Sequence, residues 1–383
     1  MDHSGQKPGS AAGMPLRLCG GDDDAAGRAR LQLVTGTLVL SLGTEAAPQE
    51  WQQALDAVIA AHRIAVRRVE QERLPGLSQM RRWASGTAAG PAPLLAPWRC
   101  VSAAGFQGSP PQLPLPRAQW AASYLFDVGP HRPVASRAVD LVLMSPHPDQ
   151  CAPDEDCAAA LPRRSVLAAM IRAAREEGRS ALAIIVPARC RGAMARHLLA
   201  ADRTLTRGDV TLEIVAIEEA VGRLMGGAPE WDAIIAMPEL RSIVLAILAQ
   251  TCGLTGPWPM LWHDRGLSLV TAETLGDAPP RTPLDATLLM QALALAARKA
   301  GLGYEAQRVH ESWARLRERG VVTGGRGADL PYVTIVDEGA FIDLALADTA
   351  DRSRPVPPWK AIAGSAGNHA RPVPVSLSLV ASR

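Results

Sequence analysis

Between residues 140 and 252, short apolar runs alternate with segments whose apolar residues recur every three or four positions, and this alternation constrains the fold most. Residues 140–144 (DLVLM), 181–186 (ALAIIV), 210–217 and 232–236 read as strands. Residues 165–179, 194–201, 218–225 and 240–252 read as helices, the first with Ser165 placed as N-cap and Gly178 near its end. A chain whose strands and helices take turns folds as α/β with a mostly parallel sheet flanked by helices, because each parallel strand needs a crossover before it. Upstream, 38–42 (LVLSL) is a further strand, and Pro48 opens a helix. Residues 86–116 are rich in Pro and Gly and predict irregular connections around one short strand. Two helices, 284–300 and 304–320, close the ordered part, with Gly301 and Gly303 between them.

The 383 residues suffice for a large core, and 48% hydrophobic with 20% charged residues suits an ordinary globular protein. Forty basic and 38 acidic side chains are mixed along the chain, so charge points to neither nucleic acid nor a membrane as partner. The cysteines Cys19, Cys100, Cys151, Cys157, Cys190 and Cys252 form no CxxC pair and no disulfide framework, which suits a reducing cytoplasm. Residues 1–30 hold Asp22, Asp23 and Asp24 and no continuous apolar run, so they read as a disordered leader and not as a signal peptide. The Pro- and Ser-containing stretch 349–383 reads as an extension.

The strand and helix of residues 231–256 (WDAIIAMPELRSIVLAILAQTCGLTG) carry no carboxylate after Glu239. The segment resembles the metal-binding strand and helix of the isocitrate and isopropylmalate dehydrogenases, the β-decarboxylating dehydrogenases, whose pattern is close to FDVIVTENLFGDILSDEAS. Other landmarks follow in the same order. LSLGTEAAPQEWQQAL keeps Gly43 and Pro48 of the first strand, loop and helix. SYLFDVGPHRPVASRAVDLVLMSP keeps Arg132, Pro133 and the strand after them. The closing helices keep Pro283, Leu302 and Thr323. The resemblance covers roughly residues 33 to 345 and rests on the order of motifs that are individually weak.

The resemblance implies a two-lobed isopropylmalate-dehydrogenase-like fold. Residues 31–100 and 253–348 would form the large, nucleotide-side lobe, and 101–252 the small lobe with a dimer interface and a clasp-like arm. It also implies a chemistry in which Mg or Mn, held by aspartates, polarises a 2-hydroxy acid while hydride passes to NAD(P) and carbon dioxide leaves. Position by position, this chain departs from that pattern. The two metal aspartates fall on Ser242 and Ala246, and the third, contributed across the dimer, falls on Glu218. Of the substrate-gripping arginines, Arg132 is matched, while two others fall near Ala122 and Ser145. The proton-moving Tyr and Lys fall on Ala152 and Pro187, and proline has no proton to give. In the nucleotide loop, LVTAETLGDAPPRTP lacks His-Gly and places Thr282 where an Asn should precede Pro283; His263 is the one displaced candidate.

The resulting expectation is a degenerate, noncatalytic member without cofactor, acting as a structural or regulatory subunit in a homodimer or with a complete paralogue. The opposing expectation is an NAD(P)- and metal-dependent oxidoreductase whose ligands come from Glu239, Asp264 or Asp277. Glu218 beside Glu219 also has a plainer role as a first-turn acid of a helix. The stretch from His147 to Cys157 mixes hard and soft donors without a zinc spacing and reads as an acidic interaction loop. TGGRGADL completes no phosphate-loop pattern and reads as a helix exit.

Overall fold

The computed structural model describes residues 38–42, 47–70, 93–107, 113–115, 117–129, 138–154, 159–201, 210–226, 230–264, 267–279, 282–326, 332–347 and 355–363. Its strands are β1 (Leu38–Leu42), β2 (Val66–Glu70), β3 (Leu94–Ser102), β4 (Trp120–Asp127), β5 (Val139–Pro146), β6 (Cys151–Asp154), β7 (Ala159–Pro162), β8 (Ala181–Val186), β9 (Thr211–Ala216), β10 (Ala233–Ala236), β11 (Trp258–Asp264), β12 (Leu267–Thr274), β13 (Val321–Thr323) and β14 (Thr334–Val336). Its helices are α1 (Gln49–His62), α2 (Arg164–Glu176), α3 (Arg191–Ala201), α4 (Ile217–Met225), α5 (Arg241–Cys252), α6 (Ala286–Lys299), α7 (Gly303–Glu318), α8 (Glu338–Ala347) and α9 (Lys360–Ala363). None of the described helices is long and apolar enough to cross a membrane.

Ten strands form one sheet in the order β2-β1-β3-β12-β11-β4-β5-β10-β8-β9. Both wings are parallel, whereas β12, β11, β4 and β5 pair antiparallel in the middle. The segments expected as two lobes each supply five neighbouring strands, and they meet at the β11–β4 pair. The α/β alternation from 140 to 252 forms as read, to within one to three residues at most boundaries. The antiparallel middle does not follow from that reading. The Pro-rich region contains the nine-residue β3, and β4, β11 and β12 carry no clean period because both their faces are covered. All eight residues of β4 are buried.

The two faces of β4 receive different partners, since successive side chains point to opposite sides. On the Phe126 side lie α6 and α7. Gln291 of α6 donates Nε2 to the Phe126 carbonyl at 3.0 Å, and Trp313 of α7 packs on the Phe126 ring with centroids 5.7 Å apart. Residues 286–297 of α6 are all buried, so this helix is a core element with no solvent face. Its start is fixed by acids: Asp285 Oδ1 accepts from Leu288 N at 2.7 Å, and Glu338 Oε2 accepts from Ala286 N at 2.6 Å. Arg317 of α7 reaches the last residue of β4 through a two-pronged pair with Asp127, at 2.7 and 3.2 Å.

At the amino-terminal ends of β5, β8 and β10, a polar network replaces what reads in sequence as the solvated end of a helix. α2 stops at Glu176, Arg163 occupies the N-cap position in place of Ser165, and Glu177 and Arg179 turn inward. Arg179 donates to Glu177 Oε2, to the Asp140 and Asp232 carbonyls, and pairs with the Asp140 carboxylate. Tyr124 donates its hydroxyl to Glu177 at 2.7 Å. Burial holds the Asp140 carboxyl above its usual range, opposed by the charge of Arg179.

Three further readings change. TGGRGADL does not leave a helix: α7 ends at Glu318, the chain turns at Gly320, with φ +77°, into β13, which pairs parallel with β14, and the stretch begins at Thr323, the end of β13, with residues 327–330 outside the described ones. A side chain at Gly320 would place its Cβ 2.7 Å from the Tyr332 carbonyl oxygen, so only glycine fits. The acidic loop is partly a hairpin, because β6 and β7 pair antiparallel on either side of its tip, which lies outside the described residues. The extension includes residues 355–363, docked on the body with Trp359 buried.

Two core histidines give stability a pH signature. Burial, helped by the Arg308 charge, lowers His62 to about 4, and burial lowers His310 to about 4 against the hydrogen bond to the Pro357 carbonyl. The unfolded chain therefore binds protons at these sites between pH 6.5 and 4 while the folded chain does not, so their contribution to stability is lost as pH falls through that window. Each site amounts to about 3 kcal/mol when the window is crossed. Denaturant midpoints measured from pH 7 to 4 should fall steeply, and His62→Leu should flatten that slope.

Candidate functional site

Ligands of open α/β sheets bind beyond the carboxyl ends of the strands. In this chain the point where β4, β5 and β12 come together beneath the start of α5 holds a buried ionic cluster. Arg241, the first residue of α5, and Glu273 of β12 are both fully buried. Arg241 donates Nε to Glu273 Oε1 at 2.7 Å and Nη2 to Glu273 Oε2 at 2.8 Å, a fork-to-fork pair. Nη2 also reaches Ser123 Oγ at 2.7 Å, and Nη1 reaches Ser145 Oγ at 2.9 Å and the Leu143 carbonyl at 3.4 Å. Ser123 in turn donates its hydroxyl to Glu273. All five N–H donors of the guanidinium are thus engaged within the protein. The Phe106 ring lies 4.8 Å from the guanidinium carbon and closes the remaining side.

Strand geometry explains why these groups meet. Ser123 pairs with Leu143 and Ala121 with Ser145 across β4 and β5, so Ser123 and Ser145 stand on one face. Met260 pairs with Ser123 and with Thr271, which carries that face across β11 to the odd-numbered residues of β12, Glu273 among them. α5 covers this face and lowers Arg241 onto it.

The residues singled out from the sequence scatter around this cluster. Ser145 belongs to it. Ala122 is the neighbour of Ser123 but faces the opposite side of the sheet. Ser242 follows Arg241 and is half-buried, while Ala246 is exposed one turn further along α5. Glu218 is exposed in the first turn of α4 beside Glu219, which pairs with Arg191 at 3.4 Å. Ala152 is exposed on β6, and Pro187 starts the turn after β8. Arg132 lies outside the described residues. His263 is built into β11, stacked on Trp120 with centroids 3.7 Å apart, and burial holds it well below the usual histidine range. Thr282 donates its backbone N–H to the Trp98 carbonyl and accepts from the Trp51 indole, which makes it a packing residue of the large sheet wing.

Residues that hold a divalent cation must converge as oxygen ligands. A half-buried hydroxyl at Ser242 and a methyl at Ala246 do not fit that requirement. Among the described residues, no group of three or more His, Cys, Asp or Glu is placed to hold a metal ion, and Glu239 and Asp277 are exposed. Among the described residues after β5, neither His147 nor Cys151 is set up as a nucleophile or its base. His147 is buried and caps the turn by accepting from Asp149 N, and burial lowers its pKa. Burial and the charge of Glu239 push the Cys151 thiol up to about 12, which keeps it protonated and inert.

Arg241 and Glu273 were not among the residues read from sequence as functional, yet each carries a signal. Arg241 is the one charge in residues 240–256, and Glu273 is the one charge of β12. Lone charges in apolar elements are buried only when paired.

No family model matches the chain, and no curated protein does. Solved structures do. The TT0538 protein from Thermus thermophilus is similar with a TM-score of 0.57 at 15% identity, over 89% of this chain and 74% of that one. Isocitrate dehydrogenase from Methylococcus capsulatus is similar with a TM-score of 0.55 at 14% identity, over 82% of this chain and 98% of that one. At such identities the likeness speaks to architecture, and the architecture is an isocitrate-dehydrogenase-like α/β fold.

Breaking the buried pair from one side should be far worse than removing it whole. Glu273→Leu leaves Arg241 charged and unpaired and should cost about 3–5 kcal/mol in guanidinium unfolding. Arg241→Met combined with Glu273→Leu should restore most of that loss; a double variant as unstable as the single one would contradict the argument.

Proposed function

We propose that this chain is a noncatalytic relative of the isocitrate and isopropylmalate dehydrogenases, serving as a structural or regulatory subunit. One observation carries the reading. Beside Ser145 and Ser242, two of the positions where the resemblance expects site residues, lies a guanidinium whose donors are all spent on Glu273, Ser123, Ser145 and Leu143. An arginine so engaged has nothing left for a substrate carboxylate, and leaving Glu273 unpaired would be too costly for it to exchange partners. The unfitting ligand positions Ser242 and Ala246 and the protonless Pro187 agree with this reading. No step of oxidation or decarboxylation is assigned to any residue.

The subunit role is supported by the outer faces of α4 and α5. These helices pack on each other, and Gly222 and Met225 of α4 and Ile243, Ala246 and Gln250 of α5 are exposed and uncharged, with the exposed Glu218 one turn before Gly222. Met225 is 68% and Ile243 49% exposed. Exposed apolar side chains such as Met225 and Ile243 on two adjacent helices suit a contact with a second copy or with a complete paralogue.

Two measurements test the proposal. The purified protein, supplied with isocitrate, isopropylmalate, tartrate or malate, NAD(P) and Mg or Mn, should form no reduced nucleotide. Chelator-sensitive turnover would overturn the reading and establish a metal-dependent oxidoreductase with relocated ligands such as Glu239, Asp264 or Asp277. In light scattering, the 40.5 kDa chain should run as a dimer, and Ala246→Arg should halve its mass. An unchanged mass would remove α5 from the interface.

A further inference from the structure

Residues 355–363 close over a charge network that is one cation short without them. At the amino ends of β5, β8 and β10 the network contains the carboxylates Glu177, Asp140 and Asp232. Arg179 pairs with Glu177 and Asp140, and Lys299 lies 3.6 Å from Glu177. Lys360 provides the third positive charge, with Nζ 2.6 Å from Asp232 Oδ2. Among the described residues it is the one cation paired with Asp232, whose carboxylate otherwise accepts the backbone N–H groups of Ser180 at 2.9 Å and Ala181 at 3.0 Å.

The attachment of this segment differs from that of every strand in the body. Residues 355–359 form neither helix nor strand, and α9 is four residues long. The backbone is tied to the body through side chains: His310 Nε2 donates to the Pro357 carbonyl at 3.1 Å, and Asp140 Oδ2 accepts the Lys360 N–H at 2.7 Å. The Ile362 and Ala363 N–H groups turn back to the Trp359 carbonyl within the segment itself. Apolar contact comes from Trp359, whose ring stacks on Phe126 with centroids 5.0 Å apart and meets Tyr124 edge-on at 6.1 Å, and from the buried Ala361 and Ile362. Against these contacts stand two unmet polar groups. Trp359 Nε1 and His310 Nδ1 are buried without a hydrogen-bond partner among the described residues, and water would meet the indole N–H once the segment lifted. A segment with few backbone bonds to its surroundings belongs to the low end of local stability.

We propose that residues 355–363 are a strap that opens and closes as a unit on the folded body, and that the Lys360–Asp232 pair is its electrostatic clasp. Opening leaves Asp232 without its cation and bares the Phe126 and Tyr124 rings that Trp359 covers. The ten-stranded sheet keeps all its pairings, since none of them runs through the strap. The Lys360 side chain is 38% exposed, so dissolved ions reach the clasp and ionic strength acts on it. This device does not depend on whether the chain catalyses a reaction.

Native-state hydrogen exchange of the full chain, read residue by residue at constant pH, tests both parts. The Lys360, Ile362 and Ala363 amides should exchange together, at a rate that low denaturant leaves nearly unchanged, while the amides of β4 and α6 exchange only through global unfolding. Lys360→Met should speed the three strap amides about fivefold, and salt raised to about 0.5 M should speed them in the same direction, with β4 and α6 unaffected. Lys360→Arg, which keeps the charge, should stay close to the unsubstituted chain. Strap amides with the denaturant dependence of the β4 amides would show that the segment leaves only when the body unfolds, and would overturn the strap. Strap amides that open locally but ignore both Lys360→Met and salt would overturn the clasp.

Discussion

The Arg241–Glu273 pair is the constraint on which the middle of this molecule depends. Two opposite charges removed from water are tolerated only when their geometry is good and their remaining donors and acceptors are met. Here the fork-to-fork pairing, the two serine hydroxyls and the Leu143 carbonyl meet that condition. Because Glu273 lies on β12 and Ser123 and Ser145 on β4 and β5, the guanidinium ties together strands from both five-stranded wings. It also fixes where α5 begins, and with it which face of that helix turns outward. A one-residue slip of β12 would carry Glu273 to the other side of the sheet and leave Arg241 unpaired.

The sheet thus has polar fastenings at two places with distinct roles. Under α5 the cluster joins β12, β4 and β5 to the start of the helix. At the amino ends of β5, β8 and β10, Arg179 ties Glu177, Asp140 and the Asp232 carbonyl into a network. The outer acids of that network, Asp140 and Asp232, hold Lys360. Both fastenings are built from residues with long side chains whose burial is compensated locally, which is how an α/β core accommodates charge at all. The aromatic group of Phe126, Trp313, His310 and Trp359 lies between the body and the docked segment and joins the second fastening to α7.

Much of the architecture was legible from residue order. The amphipathic and apolar periods of 140–252 produced β5, β8, β9, β10 and α2 to α5, and the GLG turn separated α6 from α7. Legibility failed where both faces of a strand are covered. β3 hides among prolines, and Trp120–Asp127, Trp258–Asp264 and Leu267–Thr274 show no clean alternation, although Gly129-Pro130 and Gly256-Pro257 stand near the ends of the first two. For the same reason Glu273, in a stretch that resembles a nucleotide loop, was placed in a loop when it is a strand residue facing a helix. Of the buried cluster, only Ser145 was singled out from the sequence. The Arg241–Glu273 pair was not legible, because the two are 32 positions apart and nothing local links them.

The sequence by itself determined that this chain builds an α/β sheet with covering helices, since periodicity and caps are local properties that each segment carries alone. Only the tertiary structure decided the antiparallel middle of the sheet, the pairing of Arg241 with Glu273 and the docking of Trp359. These depend on contacts between distant segments, where the cost of burying charge or an aromatic ring is met by a partner that the local sequence does not name.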